Sequence, residues 1–356
     1  MTLKTEQTVT GTPTSEERPY DVVVVGGGAA GLSGALALAR ARRSVLVIDA
    51  GTPRNAPAAH AHNYLTRDGI PPLELLAEGR REVTGYGVEI VHGRVVSAER
   101  PAGDGGFRVV CEDGTAVRAR RLLVTTGLVD ELPDVPGVAE LWGRDVLQCP
   151  YCHGWEVRDQ AIGILGTGPA SVHQALMWRQ WSSHITLFLH TGPKPTDEEY
   201  EQLAARSISV VEGEVTGLEV TDGRLTGVRR SDDKVIVCQA LVVASRATVR
   251  ADGFLAGLGL ETTELEMFGQ VMGSYIAADG SGATAVPGVW VAGNVTSLTD
   301  IVVSAAAAGV RAGGAVNADL IGEETRLAVA ARRDIFSPQM EREVCERVLG
   351  DRRHGL

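Results

Sequence analysis

Aromatic side chains are scarce in this 356-residue chain, only 4% of the total, so its core must be assembled from Val, Leu, Ile and Ala. Lysine is scarcer still, present only as Lys4, Lys194 and Lys234, although arginine is plentiful. The formal net charge is −11, and a chain without a basic surplus has little with which to hold nucleic acid or an anionic membrane. No apolar run approaches the roughly 18 uncharged residues that a membrane span needs. Residues 1–19, MTLKTEQTVTGTPTSEERP, lack the apolar stretch of a secretion signal and read as a disordered leader. The expected location is therefore cytoplasmic, where thiols are kept reduced.

Cysteine is limited to five residues, Cys111, Cys149, Cys152, Cys238 and Cys345. Two stand close together in QCPYCHGWEV, Gln148 to Val157. A zinc site needs four ligands, but there is no second C-x-x-C, and no H-x₃₋₅-H accompanies the remaining, singly scattered cysteines, so no metal is expected. A purely structural disulfide across two residues would close a tiny loop and stabilise little. A redox pair fits a reducing compartment best, because a C-x-x-C at a helix start has a stabilised thiolate. Cys111, Cys238 and Cys345 read as ordinary thiols.

The chain is long enough for two domains, and two strand–glycine–helix–strand units are legible. The first, YDVVVVGGGAAGLSGALALARARRSVLVIDAG, carries Gly26, Gly28 and Gly31 as G-x-G-x-x-G between a valine strand and an Ala/Leu helix. Such glycines let backbone N–H groups approach a pyrophosphate at a helix N-terminus. Asp49 closes the next strand, where a carboxylate accepts hydrogen bonds from a ribose. The second unit, from Gln160 to His190, repeats the order with Gly166 and Gly168, but Ser171 stands where a third small residue is usual. A β-meander follows each unit, with Thr221-Asp222-Gly223 as a hairpin turn signal in the second. The fold class is thus α/β, with two tandem Rossmann-like dinucleotide-binding domains.

TTGLVDELPDVPG, Thr125 to Gly137, resembles the hinge of two-dinucleotide flavoproteins, and TAVPGVWVAGNV, Thr284 to Val295, resembles their second FAD motif. In the latter, Gly293-Asn294 replaces the usual Gly-Asp. From about Tyr20 to Leu320 the chain resembles the low-molecular-weight thioredoxin reductases, in which an NADPH domain carrying a C-x-x-C interrupts an FAD domain. The resemblance implies an FAD domain at 20–136 and 249–321, an NAD(P)H-like domain at 137–248, and a helical tail at 322–356 broken near Ser337-Pro338. It implies FAD contacts from Gly26, Gly28, Ala30, Gly31, Asp49, Arg54, Asn55, Thr126, Gly127, Gly293, Asn294, Val302 and Val303. It also implies a homodimer, with Cys152 nearer the flavin and Cys149 exchanging with substrate. His60 and His62 sit where the family's chain passes near the flavin and are candidates for the substrate pocket, with packing or solvent exposure the alternative. Trp178 and Trp181 read as packing.

Two departures change the expected chemistry. His153 follows the second cysteine where the reductases carry Asp, and an imidazole can take a thiol proton near neutral pH; the alternative is a histidine that merely supports the turn. After His190, Thr191 and Gly192 stand in place of the arginines that pair with the 2′-phosphate of NADPH. NADP(H) binding at Gly166, Gly168 and Ser171 is therefore expected to be weak or absent, unless Arg179 or Arg246 supplies the cation. Both departures point to the reductase-like dithiol oxidases that form disulfides in natural products of the gliotoxin, holomycin and romidepsin kind, which share C-x-x-C-H-G-[WY]-E. The expected reaction is oxidation of a small-molecule dithiol, with O₂ or NADP⁺ accepting the electrons. The alternatives are a reductase of a protein disulfide fed by NAD(P)H or ferredoxin, and a non-catalytic redox-sensing flavoprotein.

Overall fold

A computed structural model describes residues 20–101, 106–250, 253–335 and 337–349; the expected leader, 1–19, lies outside the described residues. The valine run Tyr20–Val25 forms the central strand of the first unit, with Val22, Val23 and Val24 fully buried. Burial on both faces is what a continuous β-branched run demands. Parallel neighbours flank it on each side, Val45–Asp49 and Ala116–Val124. Glu89–His92 extends the sheet on one side, while Phe107–Cys111 and Val95–Glu99 continue it antiparallel on the other. Val289–Val291 returns late in the chain to pair with Ala116–Val124. Helices Ala29–Arg40 and Val302–Ile335 pack together over one face through small residues.

The second unit has its own parallel sheet, ordered Ser209–Val211, Ile185–Phe188, Ile162–Leu165, Ala240–Val242 and Val146–Leu147. Beside it lies an antiparallel meander, Val215–Thr221, Arg224–Arg230 and Val235–Val237. Asp222 and Gly223 both take positive φ at the first turn, 52° and 74°, as a two-residue hairpin requires. Each unit buries separate apolar clusters.

The chain leaves the first unit through Leu128–Glu131 and returns through Arg246–Val249, and these two strands pair antiparallel. The return therefore begins before the expected boundary at 248/249, because Arg246 already pairs with Glu131. Val302–Ile335 is one continuous helix of 34 residues that runs through 321/322, with no proline there to stop it. The next helix, Pro338–Leu349, opens on the proline expected to interrupt the tail. A hairpin that the sequence reading does not anticipate, Thr262–Met267 with Gln270–Ile276, joins the connector strands in one sheet.

Among the described residues no helix is long and apolar enough to cross a membrane.

Candidate active site

The first glycine turn is shaped by close backbone contact. Gly26 has φ +109°, and a Cβ there would lie 2.5 Å from the Thr125 carbonyl oxygen. A Cβ on Gly31 would run into the Gly26 carbonyl, so the helix can begin only against a bare backbone. Gly28, at the N-cap, has nothing within 4 Å of its would-be Cβ. Ahead of it lies a cavity of about 850 Å³.

That cavity is lined by Gly26, Gly28, Ala30, Asp49, Arg54, Asn55, Thr126, Gly127, Gly293, Asn294 and Val302 of the expected cofactor residues. Gly31 lies behind the turn. Val303 is 39% exposed and does not line the cavity; one residue farther along the helix its side chain points away from Val302's. At the other end the wall includes Cys149, Cys152, His153, His60 and His62. Gly166, Gly168 and Ser171 are outside it.

The cavity's polar groups suit a flavin dinucleotide. Asp49 accepts from Gly27 N–H at 3.1 Å and from Arg80 Nη2 at 2.7 Å. Burial pushes the Asp49 carboxyl up, but Arg80 and the Gly27 and Gly51 amides outweigh this and hold it below its usual value. The carboxylate keeps acceptor capacity for a ribose. Thr126 Oγ1 is buried and has no hydrogen-bond partner among the described residues, which is the state of a hydroxyl awaiting a ligand. Arg250, absent from the sequence reading, also faces the cavity; it donates to Thr52 Oγ1 at 2.6 Å while its Nε is buried without a partner among the described residues. No motif surrounds it, so only the folded chain reveals this cation beside the glycine turn's cavity.

Two expected cofactor residues also brace the protein. Arg54 closes its guanidinium on Asp130, Nε and Nη2 each donating at 2.6 Å, while it lines the cavity. Asn294 donates from Nδ2 to the Ser297 and Asp300 carbonyls, both at 2.9 Å. An aspartate has no N–H to make those bonds, so the amide here braces the turn ahead of helix Val302–Ile335.

Cys149 and Cys152 are joined as a disulfide with Cα atoms 5.3 Å apart. Cys149 is the N-cap and Pro150 the first residue of a single helical turn, Pro150–His153. A helix this short carries little of the macrodipole expected for a pair opening a long helix. Gly154 is required next: a Cβ there would stand 2.6 Å from the Pro150 carbonyl and 2.8 Å from the Trp181 ring. Trp181 also meets Tyr151 edge-on with centroids 5.6 Å apart, and Trp178 is fully buried.

His153 is partly buried, and burial pushes its pKa below the usual 6.5; Glu156 opposes this and His62 adds to it. The imidazole is therefore neutral at pH 7 and able to accept a proton. His62 stands between Asp68, 3.4 Å from its Nδ1, and Glu156, 3.3 Å from its Nε2. The Glu156 contact is electrostatic only, since its angle makes no hydrogen bond. Neighbouring Asn63 donates to the Tyr151 carbonyl at 2.6 Å. The loop of His60 and His62 thus docks on the redox turn.

The expected 2′-phosphate region is engaged elsewhere. His190 Nδ1 accepts from Val215 N–H at 3.1 Å. Arg179 donates to the Arg206 and Ser182 carbonyls, and Arg246 pairs with Glu131 and Glu264.

A redox disulfide set into one wall of a dinucleotide cavity, between two Rossmann-like units, defines a flavoprotein disulfide oxidoreductase. The chain matches the pyridine nucleotide-disulphide oxidoreductase family over residues 20–313 and belongs to it; it is a thioredoxin reductase-like oxidoreductase enzyme. It is 32% identical to "Thioredoxin reductase tcpT" of Claviceps purpurea, over 68% of this chain and 78% of that one. A match to a "Probable thioredoxin reductase" of Arthroderma benhamiae, at 38% identity, spans 43% of this chain and 39% of that protein's length. Among solved structures, that of HlmI superposes with a TM-score of 0.84 at 45% identity, over 92% of this chain and 100% of that one.

Proposed function

We propose that this protein is an FAD-dependent dithiol oxidase that converts a small-molecule dithiol to an intramolecular disulfide. The observation that carries the reading is that the Cys149–Cys152 disulfide, the neutral His153 and the open Gly28 turn all face one cavity.

His153 takes a proton from a substrate thiol, and the resulting thiolate attacks Cys149 sulfur. The Cys149–Cys152 bond breaks, and Cys152 leaves as a thiolate. The second substrate thiol, deprotonated in turn, attacks the mixed disulfide at the substrate sulfur. Cys149 is released and the substrate leaves oxidised by two electrons, which now reside on the enzyme's dithiol. FAD, when bound, would supply the two-electron acceptor that restores the disulfide, with O₂ as the final acceptor. Asp49, Thr126, Gly127, Asn55, Gly293 and Arg250 would hold the cofactor, and NADP(H) serves weakly or not at all as a donor.

Reduction of a protein disulfide is the second reading, favoured by the names of the thioredoxin reductase relatives. Anaerobic stopped-flow separates the two. A small dithiol should bleach the bound flavin and oxygen should restore it, whereas NADPH should leave it coloured. Rapid bleaching by NADPH would sink the oxidase assignment.

The protein is further proposed to act in the cytoplasm as a homodimer. Helix Val302–Ile335 leaves Val310, Ile321 and Leu327 exposed, apolar surface that a partner subunit would cover. Sedimentation giving a monomer at micromolar concentration would refute the dimer.

A further inference from the structure

The molecule contains two glycine turns of the same kind, and they differ in what stands before them. At Gly28 a Cβ would meet nothing within 4 Å; at Gly168 it would collide with the side-chain Oε1 of Gln270. Gln270 is not part of Gly168's unit. It opens the second strand of the 262–276 hairpin, which lies in the sheet of connector strands.

The contact does not rest on one flexible side chain. At the hairpin tip Phe268 takes φ +54°. Its ring stacks on the imidazole of His173, with centroids 5.0 Å apart and planes inclined by 28°. His173 belongs to Ser171–Trp178, the helix that the glycine turn opens. The Gln270 carboxamide is itself held, since Nε2 donates to Met272 Sδ at 3.2 Å. Opposite, Ser171 Oγ donates to the Gly168 carbonyl at 2.6 Å. The hairpin therefore seats on both parts of the motif, turn and helix.

A dinucleotide binds such a turn by bringing its pyrophosphate to the bare backbone that the second glycine leaves open. In the second unit that approach is taken by protein. A pyridine dinucleotide does not fit it as folded.

We infer that Gln270 and Phe268 form a plug that shuts NAD(P)H out of the second unit and so determine which electron donors the enzyme accepts. The exclusion is separate from the missing 2′-phosphate arginines, because it acts at the pyrophosphate and applies equally to NADH. It rests on the proposed function only in naming thiols as the donors left to the enzyme.

NADH is the discriminating probe, since it has no 2′-phosphate to recognise. The FAD-loaded protein is titrated calorimetrically with NADH, without any dithiol. Wild type should show no binding up to about 1 mM. Gln270→Ala, and Gln270→Ala combined with Phe268→Ala, should each tighten NADH binding by at least about tenfold, into the measurable range. Gln270→Glu keeps the bulk and adds a charge that repels phosphate, so it should bind no better than wild type. The single alanine variant retains the Phe268 stack, which keeps the hairpin docked should the double variant lose its fold. Micromolar binding of NADH to wild type would overturn the plug. So would alanine variants with normal flavin content that bind NADH no better than wild type. Neither result touches the dithiol assay, so failure here is distinguishable from failure of the oxidase reading.

Discussion

Arg54 and Asp130 form a two-pronged ion pair, both bonds 2.6 Å long, between the loop after the second strand and the connector strand Leu128–Glu131. The Asp130 side chain is only 7% exposed. Ser245 Oγ donates to the same carboxylate at 2.8 Å, and Gln148, next to Cys149, meets Arg54 at 3.4 Å. One buried charge thus gathers the cofactor loop, both connectors and the approach to the redox turn. Removing its cation leaves a carboxylate unpaired, so Arg54→Ala should lose about 3 kcal/mol of unfolding free energy in denaturant titrations. Arg54→Ala with Asp130→Leu should recover much of the loss.

Cys152→Ser removes the disulfide, and with it the only route proposed for electrons from substrate. Dithiol-driven flavin bleaching should vanish in stopped-flow traces while the flavin spectrum remains. Wild-type bleaching in this variant would refute the exchange mechanism.

His153 has a folded-state pKa below 6.5. Dithiol-driven bleaching in wild type should therefore hold its rate down to pH 6.5 and fall only at more acidic pH. In His153→Ala the rate should instead track the free thiolate, whose pKa is near 8.5, and fall below that pH. The same depressed pKa bears on stability. As pH drops, the unfolded chain protonates first, so the His153 contribution is present above pH 6.5 and lost below it. A pH profile of His153→Ala identical to wild type would refute the base role.

Glu156 raises the His153 pKa against the stronger effect of burial. Glu156→Gln should move the acid limb of the bleaching profile to lower pH, and a histidine NMR titration should show the same direction.

Arg250 presents a cation to the cavity. Arg250→Ala should weaken FAD binding to the apoprotein by roughly tenfold or more, the value of one charge-assisted contact. Unchanged affinity in a fluorescence titration would remove Arg250 from the cofactor site.

Much of the fold was legible because its signals are local. Val22 to Val25 had to be a doubly buried strand, Asp222-Gly223 a tight hairpin turn, and Gly26 and Gly31 points of backbone contact. The hairpin at 262–276 escaped notice because its strands are mostly exposed or half-exposed, and Thr-Thr-Glu-Leu-Glu-Met alternates too weakly to stand out. Arg250 escaped for a different reason: a lone arginine after a strand has no spacing partner. Arg54 was legible as a residue of the cavity loop but not in its role, since Asp130 is distant in sequence.

By itself the sequence determined two dinucleotide-type units and a C-x-x-C-H between them, because strand periodicity, glycine spacing and a cysteine pair are encoded in neighbouring residues. The tertiary structure alone decided which of the two glycine turns stays open. Gly28 and Gly168 hold corresponding positions in their motifs. Packing of a remote hairpin puts Gln270 against one and leaves a cavity before the other.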